Sequence, residues 1–309
     1  MDAKRALLAL HQNISQVMFG KNEAVTLSLI CLLAEGHLLI EDAPGLGKTI
    51  LARSLAQSVA GQFKRLQCTP DLMPGDVTGT SIFNPQTRQF DFMQGPVFTN
   101  ILLADEINRA PPRAQSSLLE AMAEHQVSAD GISHELPEVF MVIATQNPVE
   151  FQGTYPLPEA QLDRFLMRIR IGYPDEAAEL KMLRSQQDGH PLHKLQPVVT
   201  LAQIQELRQM ARAVTISDAV AQYGINIAQS SRRHPSLAVG VSPRGVLALM
   251  RASQAFALVK GVDYVTPQMV KFMATHVLGH RVIARDLSGA ERAGEQATQE
   301  LLNSVAVPV

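Results

Sequence analysis

A glycine-rich segment that runs into a lysine and a threonine is the part of this sequence with the clearest chemistry. It reads Asp42-Ala43-Pro44-Gly45-Leu46-Gly47-Lys48-Thr49. Glycines let the backbone curl so that its N–H groups point inward, and the N-terminus of a following helix favours negative charge. Lys48 can then reach the β- and γ-phosphates of a nucleotide, and the Thr49 hydroxyl can bind Mg²⁺. The usual pattern has glycine where this chain has Asp42, but the positions closest to the phosphates are retained.

A second motif, Leu102-Leu103-Ala104-Asp105-Glu106, supplies the acidic residues that triphosphate hydrolysis requires. Asp105 is suited to the metal's ligand shell, and Glu106 can polarise an attacking water. The glycine-rich segment alone could be an ordinary strand–turn–helix. Together the two motifs favour a nucleoside triphosphatase site.

The elements that must position these residues are short apolar runs. His37–Ile40 precedes the glycine-rich segment, Ile101–Ala104 precedes the acidic pair, and Val139–Thr145 is a third such run. Ile50–Ala56, behind the glycines, has the pattern of a helix. Apolar strands that deliver polar residues at their carboxyl ends indicate a parallel α/β sheet with a site along that edge.

Two segments between the apolar runs have a different character. Pro70–Pro96 is punctuated by proline and glycine and has no periodicity, and a segment of this kind inside a compact domain is usually functional. Gln126–Glu138 has Asp130-Gly131 at its centre, which is the turn chemistry of a β-hairpin.

The α/β alternation stops near Tyr173, and the rest of the chain is predicted to be helical. The predicted helices are Glu176–Gln187, Leu201–Ala213, Asp218–Ser231, Pro243–Val259 and Pro267–Leu278. Asp188–Pro197 is predicted to be a loop. The stretch Asp286–Val309 is polar and ends in a short helical run, Leu301–Val305; we expect it to be partly disordered. The sequence therefore predicts an α/β domain and a helical domain, with a boundary near residue 173.

Bulk properties exclude several classes of protein. A net charge of −2 and a pI near 6.5 provide no global field for nucleic acid or anionic membranes. Cys31 and Cys68 have no metal-ligand spacing, and His276 and His280 lack a third ligand, so the two histidines are predicted to lie on a helix surface. No basic region with an apolar core follows Met1, so we expect no secretory signal, and the most apolar stretch, 24–34, is too short to span a bilayer. We expect a cytoplasmic protein with reduced cysteines and no membrane insertion.

Over nearly its full length the chain resembles the MoxR-type AAA+ ATPases. The resemblance is carried by the segments 41–49, 104–112, Ala144-Thr145-Gln146-Asn147-Pro148 and 157–165. It implies an AAA+ core, a P-loop NTPase sheet flanked by helices, in residues 1–173 and an all-α lid domain in residues 174–309. It also identifies residues of about 70–96 as a helix-2 insert and about 126–138 as a hairpin before the first sensor, two elements that face the pore in related rings. Aspartate at position 42 is usual in this family.

The resemblance assigns roles to three more residues. Asn147 matches a residue that holds the attacking water or senses the γ-phosphate; alternatively it caps a turn before Pro148. Arg164 matches the arginine finger offered by a neighbouring subunit; alternatively it pairs at the surface with Asp163 or Glu159. Arg244 matches the second sensor, which reaches the γ-phosphate from the lid; alternatively it only starts a helix and faces solvent.

The nucleotide contacts implied by the resemblance extend on both sides of the glycines. Phe19-Gly20 is similar to a segment that packs on the base, although a simple interhelical turn explains it equally well. The expected contacts of the phosphate loop are Ala43, Pro44, Gly45, Leu46, Gly47, Lys48, Thr49 and Ile50, with Thr49 and Asp105 on the metal.

By resemblance, the function is ATP hydrolysis with Mg²⁺ in a ring, with a hexamer expected. Hydrolysis would rotate the lid against the α/β domain and remodel a client protein, with maturation by metal or cofactor insertion as the family's usual task. A separate partner with a von Willebrand factor A-type domain is expected. One alternative is a nucleotide-switched binding adaptor with little turnover. A nucleic-acid motor is disfavoured by the net charge and by the lack of a DNA-binding motif.

Overall fold

The computed structural model describes residues 2–148, 154–185, 189, 191–285 and 290–308. In chain order the strands are β1 (Leu38–Glu41), β2 (Phe63–Gln67), β3 (Gly79–Asn84), β4 (Gln89–Gln94), β5 (Ile101–Asp105), β6 (Gln126–Ala129), β7 (Ile132–Glu135), β8 (Met141–Gln146), β9 (Met167–Ile169), β10 (Leu237–Val239) and β11 (Ile283–Ala284). The helices are α1 (Ala3–Ser15), α2 (Asn22–Leu33), α3 (Lys48–Ser58), α4 (Pro74–Thr78), α5 (Pro112–Glu124), α6 (Glu159–Leu162), α7 (Glu176–Ser185), α8 (Leu201–Ala213), α9 (Asp218–Arg233), α10 (Pro243–Lys260), α11 (Pro267–Leu278) and α12 (Ala290–Ser304).

The central sheet has five parallel strands in the order β2-β5-β8-β1-β9. Its inner strands are apolar on both faces because helices cover both faces. Along β1, Leu38 and Ile40 join one buried cluster, which includes side chains of α1, α2 and α3, whereas Leu39 joins a second cluster with α5. The predicted parallel α/β sheet is confirmed.

Both irregular segments of the α/β part contain antiparallel hairpins. Strands β6 and β7 pair across Asp130 and Gly131, both of which have positive φ, as the predicted tight turn requires. The segment predicted to lack periodicity forms α4 and the hairpin of β3 and β4. Exposed and half-buried residues fill both faces of that hairpin, so its strands carry no apolar alternation that could have revealed them.

The sequence predicted that the region beyond Tyr173 is helical throughout, but this region also contains two strands. Strands β10 and β11 pair antiparallel inside it. The tail expected to be polar and partly disordered contains α12, whose Ala297, Leu301 and Leu302 are buried. These apolar residues at spacings of four and one cover a narrow stripe on an otherwise polar helix. The predicted helix end at Gln187, and Asp188 and His190 of the predicted loop, lie outside the described residues.

The helical part packs behind the sheet. Helix α10 contacts α1 and α2, and α8 contacts α2. Their buried side chains belong to the same cluster as one face of the sheet. The domain boundary near residue 173 therefore stays a prediction, since the hydrophobic core is continuous across it. In the described part of the chain no helix is both long and apolar enough to cross a membrane.

Candidate functional site

The glycine-rich segment forms a loop between β1 and α3 at the carboxyl edge of the sheet. Gly45 and Gly47 have φ of 85° and 88°, a conformation that disfavours any residue with a Cβ. Gly47 is the N-cap of α3, so the helix N-terminus, with its free N–H groups, opens onto the loop. Lys48 Nζ donates to the Asp42 carbonyl oxygen at 2.5 Å. Ala43 through Ile50 thus form a cradle suited to an anion.

Lys48 lies in the electrostatic field of the acidic pair. Partial burial lowers the pKa of Lys48, and the carboxylates of Asp42, Asp105 and Glu106 act in the opposite direction. The structure therefore brings the two sequence motifs together around one ammonium group. Thr49 follows in the first turn of α3.

Asp42 has a structural task that explains the missing glycine. Its carboxylate is buried and accepts hydrogen bonds from the backbone N–H groups of Ile171 and Gly172, the latter at 3.2 Å. These residues follow β9 and lead toward the helical part. The side chain at this position therefore fastens the phosphate loop to the segment that joins the two parts of the chain.

Thr145 organises the acidic pair. Its hydroxyl donates to Asp105 Oδ1 at 2.7 Å and accepts from the Glu106 backbone N–H at 2.9 Å. Glu106 has φ of 58°, which is uncommon for a residue with a side chain. Since β8 lies beside β5 in the sheet, one hydroxyl from β8 holds both acidic residues in register.

Neighbouring donors occupy both carboxylates. Arg65 Nη2 lies 2.7 Å from Asp105 Oδ2. Gln67 Nε2 and Arg109 Nη1 lie 3.3 Å and 3.1 Å from Glu106 Oε2. Sequence reasoning missed Arg65, Gln67, Arg109 and Thr145. No local sequence signal reveals the first two, because they depend on the β2–β5 register, in which Gln67 faces Asp105.

The donor set suits Mg²⁺. A threonine hydroxyl and a carboxylate are hard oxygen ligands, and Mg²⁺ commonly takes one or two of these together with phosphate and water. Among the described residues no group of three or more His, Cys, Asp or Glu could hold a metal ion. A magnesium ion held by Thr49 and Asp105 would therefore need oxygens from the nucleotide and water.

Asn147 lies between the two motifs. It is buried and directly follows β8, which is flanked by β5 with the acidic pair and by β1 with the phosphate loop. The residue therefore lies at the same edge of the sheet as both motifs. Its role stays a prediction.

An apolar cavity of about 300 Å³ adjoins the phosphate loop. Phe19, Leu46, Ile50 and Met182 are among its lining residues, so its walls are largely apolar. Gly20 has φ of 69°, and a Cβ there would lie 2.9 Å from the Cβ of Ala178 on α7. Only glycine allows this close approach, so the Phe19-Gly20 turn helps to shape the cavity.

The two candidate arginines lie away from the phosphate loop of their own chain. Arg164 Nη1 donates to Leu119 O at 2.7 Å. Two residues after Arg164, the Leu166 N–H donates to the carbonyl oxygen of His37, the residue that directly precedes β1. Arg244 directly precedes Gly245, which packs against Arg281, and Arg281 Nη1 in turn donates to Leu166 O at 3.0 Å. The loop follows the other end of β1, and four residues of strand separate the two ends by roughly 13 Å.

The alternative given for Arg164 and the prediction made for His280 can both be compared with the structure. Asp163, the suggested surface partner of Arg164, bonds Arg281 instead, at 2.7 Å. His280, predicted to lie on a helix surface, is buried, and its Nε2 is 3.0 Å from Phe165 O. The surface prediction for His280 is wrong because α11 ends against the turn that precedes β9.

Comparisons with known proteins agree with this architecture. Residues 37–167 match the model of the ATPase family associated with various cellular activities (AAA), and residues 229–304 match the AAA lid domain. The chain is 38% identical to Chaperone MoxR1 of Mycobacterium tuberculosis, over 96% of this chain and 80% of that protein. It is 48% identical to the uncharacterized Bacillus subtilis protein YeaC, over 96% and 93%. A crystal structure of a candidate ATPase from Cytophaga hutchinsonii superimposes with a TM-score of 0.92 at 35% identity, over 99% of this chain and 96% of that one.

Proposed function

Because the chain belongs to the MoxR-type AAA+ ATPases, we propose that it hydrolyses ATP with Mg²⁺ at a site that a second copy of the chain completes, most simply in a hexameric ring. The observation that carries the proposal is a division of the machinery. The phosphate loop and the acidic pair lie at the carboxyl ends of β1 and β5, whereas both candidate arginines lie toward the opposite end of β1. A head-to-tail ring brings such separated surfaces together.

Binding uses the loop and the adjoining cavity. The phosphates would lie on the N–H groups of residues 45–49, where the α3 N-terminus favours negative charge. The base would enter the cavity beside Phe19 and Met182. Thr49 and Asp105 would hold Mg²⁺, which when bound offsets charge on the phosphates.

Hydrolysis then depends on the Glu106 carboxylate, which must first be released from its hydrogen bonds with Gln67 and Arg109. The Glu106 carboxylate would accept a hydrogen bond from the attacking water, which the Asn147 amide would help to orient. Arg164 and Arg244 of the next copy would offset charge on the transferred phosphoryl group. Gln67 and Arg109 hold the carboxylate before this arrangement forms.

Glu106→Gln tests the assignment of the base. The variant should bind ATP with a Kd close to that of the parent and lose at least about 100-fold in kcat, the lower range for a missing general base. Fluorescent-nucleotide binding and steady-state phosphate release are the two measurements. Glu120→Gln, an exposed change on α5, is the matched control and should keep full turnover. Full turnover in Glu106→Gln would contradict the assignment of Glu106 as the general base.

Chaperone-like remodelling of a client is the work to which hydrolysis would be coupled. The β3–β4 hairpin supports this proposal because its Phe83 and Phe90 are 50% and 70% exposed, with ring centroids 5.4 Å apart. An exposed aromatic pair of this kind can hold an apolar client segment. By family analogy, a partner with a von Willebrand factor A-type domain would take part, and insertion of a metal or cofactor into the client would be the outcome.

A nucleotide-switched adaptor is the second candidate, and the occupied carboxylates favour it. Arg65 holds Asp105, and Gln67 and Arg109 hold Glu106, as expected of a protein with little intrinsic turnover. Turnover measured with and without a partner separates the two functions. An adaptor would bind ATP and show no stimulation, whereas an idling ATPase would be stimulated several-fold.

A further inference from the structure

Arg281 is a charged residue that the proposed chemistry does not use, although it is almost fully buried. It lies after α11 and before β11, with 9% of its surface exposed. Its pKa is lowered by burial and raised by Asp163, which supplies the compensating charge. A buried guanidinium persists only when its N–H groups have acceptors. The acceptors of Arg281 therefore indicate its task.

Those acceptors belong mainly to the turn that carries Arg164. Arg281 Nη2 donates to the carbonyl oxygens on both sides of Arg164, to Asp163 O at 3.1 Å and to Phe165 O at 2.7 Å. Nε donates to Asp163 Oδ1 at 2.7 Å, and Nη1 to Leu166 O at 3.0 Å. The backbone from which the Arg164 side chain projects is thus fixed on each side by one planar group.

The start of α10 packs on the same side chain. A Cβ built on Gly245 would lie 3.2 Å from Arg281 Cδ and 2.9 Å from Val241 Cγ1, so glycine is needed for this close contact. Gly245 directly follows Arg244, whose charge lowers the pKa of Arg281. One side chain therefore touches the backbone beside both arginines that the proposed function places at a neighbouring site.

We propose that Arg281 is a positioning residue that holds Arg164 and Arg244 in the geometry needed to complete the active site of the next copy. The inference rests on the proposed function, since it requires that these arginines act between copies. It adds a connection between the helical part and the finger. Because Arg281 also donates to Val277 O on α11, movement of that helix would carry the Arg164 turn with it.

Arg281→Lys is the primary variant because lysine keeps the charge but cannot present the planar fork of donors. The intact phosphate loop should bind ATP with an unchanged Kd. We expect kcat to fall about 100-fold, the loss that a misplacement of about 1 Å can cause. Arg208→Lys is the matched control. Arg208 is also a buried arginine on two carbonyl oxygens, Leu32 O at 3.0 Å and Glu138 O at 2.9 Å, but it does not touch the Arg164 turn. The Arg208→Lys variant should be less stable than the parent protein but should not show a comparable loss of kcat.

Subunit mixing separates positioning from general damage. Arg281→Lys supplies a sound phosphate loop and a poor finger, and Lys48→Ala supplies the reverse, so their mixture should regain activity. A mixture of Arg281→Lys with Arg164→Ala should stay inactive, because both lack a working finger. Recovery in that second mixture, or full kcat in folded Arg281→Lys, would overturn the inference.

A second variant covers the case in which Arg281→Lys does not fold. Asp163→Ala removes the charged acceptor and leaves the three hydrogen bonds of Arg281 to carbonyl oxygens of residues 163–166. Like Arg281→Lys, this variant should regain activity when mixed with Lys48→Ala and stay inactive when mixed with Arg164→Ala. The reference mixture is Arg164→Ala with Lys48→Ala. If the reference mixture fails, the proposed function fails. If it succeeds while neither Arg281→Lys nor Asp163→Ala behaves like Arg164→Ala, the positioning role alone is wrong.

Discussion

Thr145 links the two acidic residues through a single hydroxyl. It donates to Asp105 Oδ1 and accepts from the Glu106 N–H, so it sets the positions of the proposed metal ligand and of the proposed base at once. A hydrogen bond to a charged group contributes about 1.5–3 kcal/mol, and the bond from Thr145 to Asp105 is of this kind.

Thr145→Val keeps the shape of the side chain and removes the hydroxyl. We expect kcat to fall by about tenfold or more, as the loss of one hydrogen bond to a charged group implies. The measurement is steady-state ATP hydrolysis beside nucleotide binding, which should be unchanged. Thr26→Val is the control, since the Thr26 hydroxyl bonds Asn22 O on α2, away from the site. An unchanged kcat in Thr145→Val would show that the hydroxyl does not organise the acidic pair.

Local sequence predicts some of the candidate site residues and not others. The phosphate loop and the acidic pair were predictable because each is a continuous motif next to an apolar run. Thr145, Arg65 and Gln67 were not, because their contacts depend on which strands are neighbours. That order, β2-β5-β8-β1-β9, is set by crossovers and not by any local pattern.

At the scale of elements, the phosphate loop is bound to the end of β9 through the Asp42 carboxylate. Asp42→Ala should lower the free energy of unfolding by about 2 kcal/mol, since it deprives two backbone N–H groups of a charged acceptor. Thermal and denaturant unfolding measure the loss. Asp76→Ala, which removes an exposed bond to Met73 N, is the control and should cost less. Equal losses in the two variants would contradict the structural task given to Asp42.

The β3–β4 hairpin projects apolar side chains without burying them. Phe83→Ala with Phe90→Ala should leave basal ATP hydrolysis unchanged, because the hairpin contributes no residue to the phosphate loop or the acidic pair. Binding of a reduced, unfolded model polypeptide should weaken about tenfold, since each lost aromatic contact is worth roughly 0.5–1.5 kcal/mol. Fluorescence anisotropy of the labelled polypeptide measures it.

Leu8→Ala is the control for the hairpin, since Leu8 is a comparably exposed apolar residue on α1, at 56%. It should leave polypeptide binding unchanged. Equal binding by the hairpin variant and the parent would exclude the hairpin as the client contact.

At the scale of the whole molecule, the helical part could be predicted as helices but not placed. Leu201–Ala213 and Pro267–Leu278 have the bounds that their periodicity predicts. Their position behind the sheet follows from packing between α8, α10 and α2, which no local pattern encodes. For the same reason the sequence suggested a sensor at Arg244 without revealing that it lies toward the far end of β1 from its own phosphate loop.

The measurement that tests the composite site most directly is ATP hydrolysis by mixtures of Lys48→Ala and Arg164→Ala. Each variant alone should be inactive, the first for lack of nucleotide binding and the second for lack of a finger. In a randomly mixed head-to-tail ring, about one quarter of the interfaces should pair a sound loop with a sound arginine. We expect activity to return and to be greatest near equal proportions. No recovery at any ratio, in mixtures that sizing shows to be assembled, would contradict the composite site.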